Sequence, residues 1–320
     1  MNKSYGGYLP LELRHGKDYF SSLPALRFNC ANAAIDHILD LIDVKSIYLP
    51  YYMCPNICEN LNNKDIQVIY YHVGDDLLPE KAFTDKKTCI YITDYFGIMG
   101  STIDSLIAKY RDNYIIADFC HAFYHQPIIS DNVFCLYSAR KFFGVPDGAY
   151  LINKCLTSDY SDSNVSYSSD FSSYLLTSLE HGTNYSYKDK KEADSIIKLN
   201  KGKMSFLARK ILNSIDYKAV RAIRKQNAAI YDEAFKSINR IKMELGSAPY
   251  MYPLNIGKDI RTQLVKENVF TPTLWGQLLT EEFNNTKEKE LTTNTVFLPV
   301  DQRYDETDID AVIEIVRRLL

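Results

Sequence analysis

The sequence predicts an α/β protein with a mostly parallel sheet flanked by helices, followed by a smaller α+β domain. Two observations lead to this prediction. Between residues 29 and 153, apolar runs of strand length alternate with amphipathic segments of helix length, a rhythm that is typical of a parallel sheet. The chain also has 320 residues, which is long for one compact domain. We therefore expect a large domain over residues 1–200 and a small one over 201–320.

The elements of the large domain follow from their apolar patterns. A helix is predicted over 33–42, where apolar residues line one face and Asn29 or Asn32 can cap the start. A second helix is predicted over 103–110. The predicted strands are 46–49, 66–72, 89–95, 114–117, 133–137 and 149–153.

A serine-rich segment over residues 156–191 offers few aliphatic side chains for burial, so we expect a long connection there. Helical periodicity returns beyond it, and strand-like runs are interspersed. This pattern predicts helices over 204–215, 219–238 and 308–320, with strands over 250–256 and 295–300. These elements make up the expected smaller domain.

The composition excludes several functions. The formal net charge is -3 and there is no long basic run, so we expect no nucleic-acid surface. Residues 1–13 lack the apolar core of a signal peptide, and no stretch of about 18 apolar residues occurs. The seven cysteines show no pairing rhythm, as in a reducing compartment. We expect a soluble, cytoplasmic protein that binds a small molecule and no membrane.

A lysine and an aspartate are placed for chemistry. Lys141 lies between the run 133–137 and a glycine-containing turn, and Asp118 directly follows the run 114–117. Ligands of open α/β sheets bind at the carboxyl ends of the strands, so both side chains can reach one pocket. Such a pair suggests pyridoxal 5'-phosphate (PLP), where the lysine forms a Schiff base and the acid keeps the pyridine nitrogen protonated. The alternatives are a solvated lysine and an aspartate that caps a turn.

Other residues add to this interpretation. His121 follows Asp118 by three positions and can reach the same ring, although a buried structural histidine is the alternative. Ser138 and Lys141 match S-x-x-K, but the S-D-N and K-T-G elements of penicillin-recognising enzymes are absent. Histidines and cysteines show no zinc-site spacing, so we expect no metal. Small residues before the first helix can let its amides approach a phosphate; they are Cys30, Ala31 and Asn32.

The order and spacing of these motifs resemble the DegT/DnrJ/StrS family of PLP-dependent nucleotide-sugar aminotransferases, which have PLP fold type I. The likeness runs from about residue 5 to the C-terminus, and its specificity comes from the set and not from any one motif. The motifs are YGGYLPLEL at 5–13, YLPYYMC at 48–54, DYFG at 94–97, DFCHA at 118–122, the Lys141 segment, KMS at 203–205 and LPVDQRY at 298–304.

The resemblance implies roles for the residues at matching positions. Lys141 would bind PLP covalently, and Asp118 would pair with the pyridinium nitrogen. His121 stands where the family usually has glutamine, near the phenolic oxygen of the cofactor. Cys30, Ala31 and Asn32 fall on the phosphate-binding helix start. The family's site lies between two subunits of a homodimer, so the resemblance also implies that Lys201 or Lys203 reaches the partner's phosphate.

The sequence departs from the family pattern at two of these positions. Cys54 stands where an aromatic ring usually stacks on the cofactor, and a thiol offers a weaker contact. Leu136 stands where a phosphate-binding serine is usual, which leaves Ser138 as a replacement. The chain is also shorter than most members of the family.

The implied function is transfer of an amino group from an amino acid donor to a keto sugar, nucleotide-linked in this family, for amino sugars of polysaccharide or antibiotic type. Two alternatives remain open. One is another PLP-dependent sugar reaction, such as deoxygenation, although that branch replaces the lysine with histidine. The other is a noncatalytic or regulatory relative that binds PLP or a sugar without turnover.

Overall fold

The computed structural model describes residues 5–61, 64–156, 167–244 and 248–320. Its main feature is a seven-stranded sheet formed by β1 (Ala25–Phe28), β2 (Ser46–Pro50), β3 (Gln67–Tyr71), β4 (Cys89–Thr93), β5 (Ile115–Asp118), β6 (Val133–Ser138) and β7 (Ala149–Ile152). The strand order is β1-β7-β6-β5-β4-β2-β3. Strands β3, β2, β4, β5 and β6 are parallel, and β7 is antiparallel to both of its neighbours. The predicted mostly parallel α/β fold is confirmed.

Helices cover this sheet and continue into the C-terminal part. They are α1 (Ala31–Leu41), α2 (Asn56–Leu61), α3 (Gly100–Lys109), α4 (Ser173–His181), α5 (Thr183–Leu199), α6 (Phe206–Ser214), α7 (Tyr217–Phe235), α8 (Arg261–Lys266), α9 (Lys287–Asn294) and α10 (Glu306–Leu319). An antiparallel pair, β8 (Tyr252–Asn255) and β9 (Thr295–Leu298), shares an apolar cluster with α7 and α10.

Apolar side chains fill both faces of the large sheet, as expected for parallel strands covered by helices. One cluster packs α1 against one face, with Ile35 and Ile38 fully buried. A larger, aromatic-rich cluster fills the other face, and residues of α6 such as Leu212 belong to it. The predicted domain boundary at residues 200/201 stays a prediction. Within the described ranges, no helix is long and apolar enough to cross a membrane.

Two secondary-structure expectations need correction. The serine-rich segment was expected to be a connection, but α4 and α5 occupy its second half and pack on each other. Both helices bury few residues. A helix with a narrow buried face needs only a weak apolar stripe, so its sequence gives little helical periodicity to recognise. Residues 157–166 of that segment lie outside the described residues. Strand β1 and helices α2, α8 and α9 are further elements that the pattern missed, because each is short.

The expected cap of the first helix is also wrong. The N-cap residue of α1 is Cys30, whose side chain makes no capping hydrogen bond. The Asn29 carboxamide oxygen instead accepts a hydrogen bond from the Gly202 amide at 3.0 Å, and the Asn32 side chain donates to the Asn56 carbonyl at 3.2 Å. Neither asparagine is therefore the cap, and the amides of Asn32 and Ala33 lie towards the Cys30 thiol. Amides at a helix start are the groups that can bind an anion.

Candidate active site

Lys141 and Asp118 lie at the same edge of the sheet. Asp118 is the last residue of β5, and Lys141 ends the short 3-10 turn 139–141 that follows β6. Strands β5 and β6 are parallel neighbours, and Asp118 lies opposite Leu136. Their carboxyl ends therefore open onto a common region, as the sequence predicts for a ligand site.

The Asp118 carboxylate is held by two donors. Its Oδ1 accepts a hydrogen bond from the Cys120 amide at 2.9 Å, and its Oδ2 accepts one from the Tyr91 hydroxyl at 2.8 Å. Burial, together with the neighbouring Asp118 charge, raises the pKa of Tyr91 well above its usual range, so the phenol stays a donor. Tyr91 is a buried residue of β4 that sequence reasoning did not find, since its apolar setting reads as core.

Lys141 contacts His121 directly. The Lys141 Nζ lies 2.7 Å from the His121 Nε2. Burial, and to a lesser extent the Lys141 charge, holds the pKa of His121 well below its usual range. The imidazole is therefore neutral, with Nε2 as the acceptor and the proton on Nδ1. Among the described residues His121 Nδ1 has no hydrogen-bond partner although it is buried, so a ligand acceptor would satisfy it.

Aromatic rings surround this pair. The His121 ring lies nearly parallel to Tyr250, with centroids 4.9 Å apart, and to Trp275 and Phe96, each at 5.9 Å. The Lys141 Nζ lies 5.1 Å from the centre of the Tyr250 ring. Tyr250 and Trp275 come from the C-terminal part of the chain, and no local pattern in the sequence links them to residues more than a hundred positions earlier. Sequence reasoning therefore missed both.

The start of α1 is brought beside the Lys141 turn by backbone hydrogen bonds. The Asn29 carbonyl accepts from the Gly148 amide at 2.8 Å, and the Gly148 carbonyl accepts from the Ala139 amide at 3.0 Å. Cys30, Ala31 and Asn32, the predicted phosphate-contacting residues, therefore begin α1 near the same site.

Two cations lie near this helix start. Burial raises the pKa of Cys30, and the positive charges of Arg140 and Lys201 partly offset the rise. Lys201 Nζ pairs with Asp36 Oδ2 of α1 at 2.7 Å. Arg140 pairs with Asp194 of α5, while its buried Nε has no partner among the described residues. Arg140 is a residue that sequence reasoning missed, although it directly precedes Lys141.

The remaining predicted residues lie around this centre. Cys54 follows β2. It lies close enough to the Tyr91 phenol and the Cys120 thiol to contribute to the raised pKa of each. Ser138 is the last residue of β6. Lys203 forms an isolated β-bridge with Phe28, just before α1. The seven cysteines, all within the described ranges, form no disulfide.

A cavity of about 900 Å³ opens beside Lys141. Its charged lining residues include Arg140, Arg303 and Asp301, whereas α4 contributes Leu175 and Leu179. The volume falls within the range of small-molecule sites. Lys141, Arg140 and Arg303 outnumber Asp301 in this lining, so the charge of the cavity favours an anionic ligand.

No protein-family model and no curated protein sequence matches this chain. Solved structures do share its fold. A putative sugar aminotransferase from Streptococcus pneumoniae, Spr1654 in its PMP form, superposes with a TM-score of 0.64 at 15% identity, covering 94% of this chain and 90% of that one. The sugar aminotransferase CalS13 from Micromonospora echinospora gives a TM-score of 0.61 at 14% identity, covering 92% and 87%.

A third similar structure catalyses a different reaction. The GDP-4-keto-6-deoxy-D-mannose-3-dehydratase of E. coli, with bound hydrated PLP, gives a TM-score of 0.58 at 14% identity, covering 91% of this chain and 87% of that one. These likenesses show that the chain has the PLP fold type I architecture that its sequence motifs indicate. Because one fold supports several reactions, the function is argued from the site.

Proposed function

We propose that the protein is a PLP-dependent aminotransferase that transfers an amino group from an amino acid to a keto sugar. The contact between Lys141 Nζ and His121 Nε2, at the strand edge that Asp118 also occupies, carries this proposal. This contact fixes the position of the lysine amine at the edge where a bound ligand would meet it, as a Schiff-base nucleophile requires. The shared fold with aminotransferases supports the same conclusion.

The residues fit PLP. Lys141 would hold it covalently, Asp118 would pair with the ring nitrogen, and the unpartnered Nδ1 of His121 would donate to a cofactor oxygen. The amides at the start of α1, with Ser138 and the cations nearby, would hold the phosphate. When bound, PLP supplies an electron sink that weakens the bond from the donor's α-carbon to its hydrogen.

The side chains of the chain itself would then control protons. Lys141 Nζ would take the proton from the donor's α-carbon and return a proton in the reverse half. His121 Nε2 would hold Nζ in place through their 2.7 Å contact. Tyr91 would keep the Asp118 carboxylate oriented through its 2.8 Å hydrogen bond. The rings of Phe96, Tyr250 and Trp275 would exclude water from this side.

The finer assignments rest on the family resemblance and on the cavity. A nucleotide-linked sugar is consistent with the cationic residues that line the space beside Lys141. The unpaired thiols support a reducing, cytoplasmic setting. A homodimer with a shared site would close the open cavity, and Lys201 or Lys203 would then serve the partner's phosphate.

Deoxygenation is the second candidate, because a dehydratase shares the fold. A free lysine is needed to return a proton to the cofactor in transamination, and Lys141 is present. The two reactions are separable by product: glutamate should be converted to its keto acid with a stoichiometric gain of amine on the sugar. Loss of water from the sugar without amine transfer would favour deoxygenation, and PLP binding without either would favour a noncatalytic relative.

The direct test is covalent trapping. We expect purified protein to turn yellow with PLP and borohydride reduction to fix the cofactor on the peptide that contains Lys141. Lys141→Ala should lose this label, and its turnover should fall by more than the roughly 10²- to 10⁴-fold that losing a general acid-base costs. Lys218→Ala, an exposed change on α7, is the control and should label normally. Label on another lysine, or on none, would refute the proposal.

A further inference from the structure

Arg224 of α7 is an arginine that the proposed mechanism does not use, and its side chain is only 2% exposed. Its guanidinium donates to four neutral acceptors, with each distance at 3.2 Å. They are the side-chain oxygen of Gln302 and the carbonyls of Pro249, Tyr250 and Phe142. Within the described part of the chain, no carboxylate accepts a hydrogen bond from it.

The acceptors lie on both sides of the site. Phe142 is the residue directly after Lys141, and its carbonyl also accepts from Gln302 Nε2 at 2.9 Å. The Arg224 guanidinium lies 4.6 Å from the centre of the Phe142 ring. Tyr250 belongs to the C-terminal part, and its ring contacts both Lys141 Nζ and His121. The Arg224 guanidinium therefore connects the backbone next to Lys141 with the backbone of Tyr250, whose ring lies against the Lys141 amine.

The burial of Arg224 has an electrostatic cost. Burial lowers the pKa of Arg224 to about 10, which reflects the cost of removing a cation from water. The four hydrogen bonds offset this cost, and an apolar side chain at this position would leave their acceptors without the donor. The planar fork fixes the relative geometry of its acceptors, because its N–H directions are rigid.

We propose that Arg224 is a positioning residue of the active site, which holds the Lys141–Phe142 backbone and the Tyr250 ring in register with each other. The inference rests on the proposed PLP chemistry. Helix α7 is itself fixed to the segment that carries Gln302, since Asn227 donates to the Val300 carbonyl at 3.3 Å and to the Tyr304 carbonyl at 3.0 Å. The helix that carries Arg224 is thus held in place by hydrogen bonds that do not involve Arg224 itself.

The test compares Arg224→Met and Arg224→Lys with Lys225→Met, an exposed change at the next position of α7. The measurements are the PLP dissociation constant, the induced circular dichroism of the visible cofactor band and thermal unfolding without cofactor. We expect Arg224→Met to weaken PLP binding by about tenfold or more and to reduce the induced signal, because several charge-assisted hydrogen bonds are lost. Arg224→Lys should fall between, since one ammonium cannot reach both sets of carbonyls. Lys225→Met should match the wild type.

The possible outcomes separate the two proposals. Wild-type PLP affinity and induced signal in Arg224→Met would overturn the positioning role. A lowered unfolding temperature with an unchanged induced signal in both Arg224 variants would also overturn it, because the role would then be structural. If Arg224→Met does not fold, Arg224→Lys alone must show the altered signal for the proposal to stand. A wild-type protein that binds no PLP would instead refute the proposed function.

Discussion

The Asp118 carboxylate illustrates how one residue can be both fixed and available. Each of its oxygens accepts one hydrogen bond, from the Cys120 amide and from the Tyr91 hydroxyl. A carboxylate has about four lone-pair sites, so each oxygen retains acceptor capacity. The two donors hold the carboxylate in one orientation. The orientation of the group is therefore settled before any ligand arrives.

The charge of Asp118 can be tested without changing its shape. We expect Asp118→Asn to retain bound PLP but to slow the half-reaction with an amino donor by roughly 10²-fold or more, because an amide cannot keep the ring nitrogen protonated. Stopped-flow absorbance of the cofactor band after glutamate addition measures this rate.

Tyr91→Phe is the matched control for Asp118→Asn. It removes the 2.8 Å hydrogen bond but leaves the carboxylate, so its effect should be clearly smaller. A wild-type half-reaction in Asp118→Asn would mean that Asp118 has only a structural role.

At the residue scale, the sequence predicts those site members that follow a strand. Lys141 and Asp118 are recognisable because apolar runs end beside them, and His121 because it is three positions further along the same loop. Tyr250, Trp275 and Arg224 give no such signal. They reach the site only through the packing of the C-terminal part on the sheet, and aromatic or arginine residues in helices and loops have many other uses.

Among the elements, the turn after β4 has a specific effect on His121. Phe96 and Gly97 both adopt left-handed backbone angles, with φ of 62° and 75°. The Phe96 ring stacks on His121, and a Cβ on Gly97 would lie 2.3 Å from the His121 carbonyl oxygen. Glycine is needed here for both its backbone freedom and its lack of a side chain. The turn therefore fixes the position of the loop that carries His121.

Gly97→Ala should disturb this packing. We expect a loss of about 1–3 kcal/mol in the free energy of unfolding, since the backbone is strained and the His121 loop must move. PLP affinity should fall as well, because Lys141 Nζ would lose its 2.7 Å contact with a displaced His121. Urea unfolding and PLP titration measure the two effects.

Gly276→Ala provides the control for Gly97→Ala. Gly276 has no positive φ, and a Cβ there would meet no atom within 4 Å. Its unfolding free energy and PLP affinity should stay close to wild type. Equal, small effects of the two substitutions would show that the turn does not support His121.

Predictability differed among the elements for a physical reason. Strands such as β6 are covered on both faces, so their sequences are apolar nearly throughout. Their boundaries therefore follow from the sequence to within about two residues. Helix α5 buries only Ser186, Ala193 and Ile197 along its length. Its charged and serine-rich sequence therefore resembles a connection. The helix depends on packing against α4 through a small apolar cluster that includes Tyr174, Ala193 and Ile197.

Large apolar side chains are exposed in several parts of the molecule. Tyr8 is 97% exposed, and Leu179 and Leu199 are each 83% exposed. Leu11, Leu176 and Leu179 also line the cavity beside Lys141. Exposed apolar residues that gather at one cavity are typical of an interaction site. A second copy of the chain that covered these leucines would also enclose the cavity, as a shared active site requires.

Lys201 and Lys203 test whether the site is shared. We expect sedimentation to show a dimer with or without PLP, and Lys201→Ala with Lys203→Ala to weaken PLP binding by about 1 to 3 kcal/mol through a lost charge-assisted hydrogen bond. Lys198→Ala, which removes only the surface ion pair with Glu59, is the control. A monomer with full PLP affinity would contradict the dimer, and a dimer indifferent to the double substitution would contradict the role of the lysines.

Mixed dimers distinguish the partner's phosphate from the subunit's own. In the structure Lys201 pairs with Asp36 near the start of its own α1, so both arrangements must be tested. A dimer of one Lys141→Ala subunit and one Lys201→Ala, Lys203→Ala subunit has an intact site only if the lysines act across the interface. In that case the second subunit supplies Lys141 and the first supplies both lysines. One of the two sites in each mixed dimer should then bind PLP with wild-type affinity. Weakened binding at every Lys141-containing site would instead assign the lysines to their own subunit.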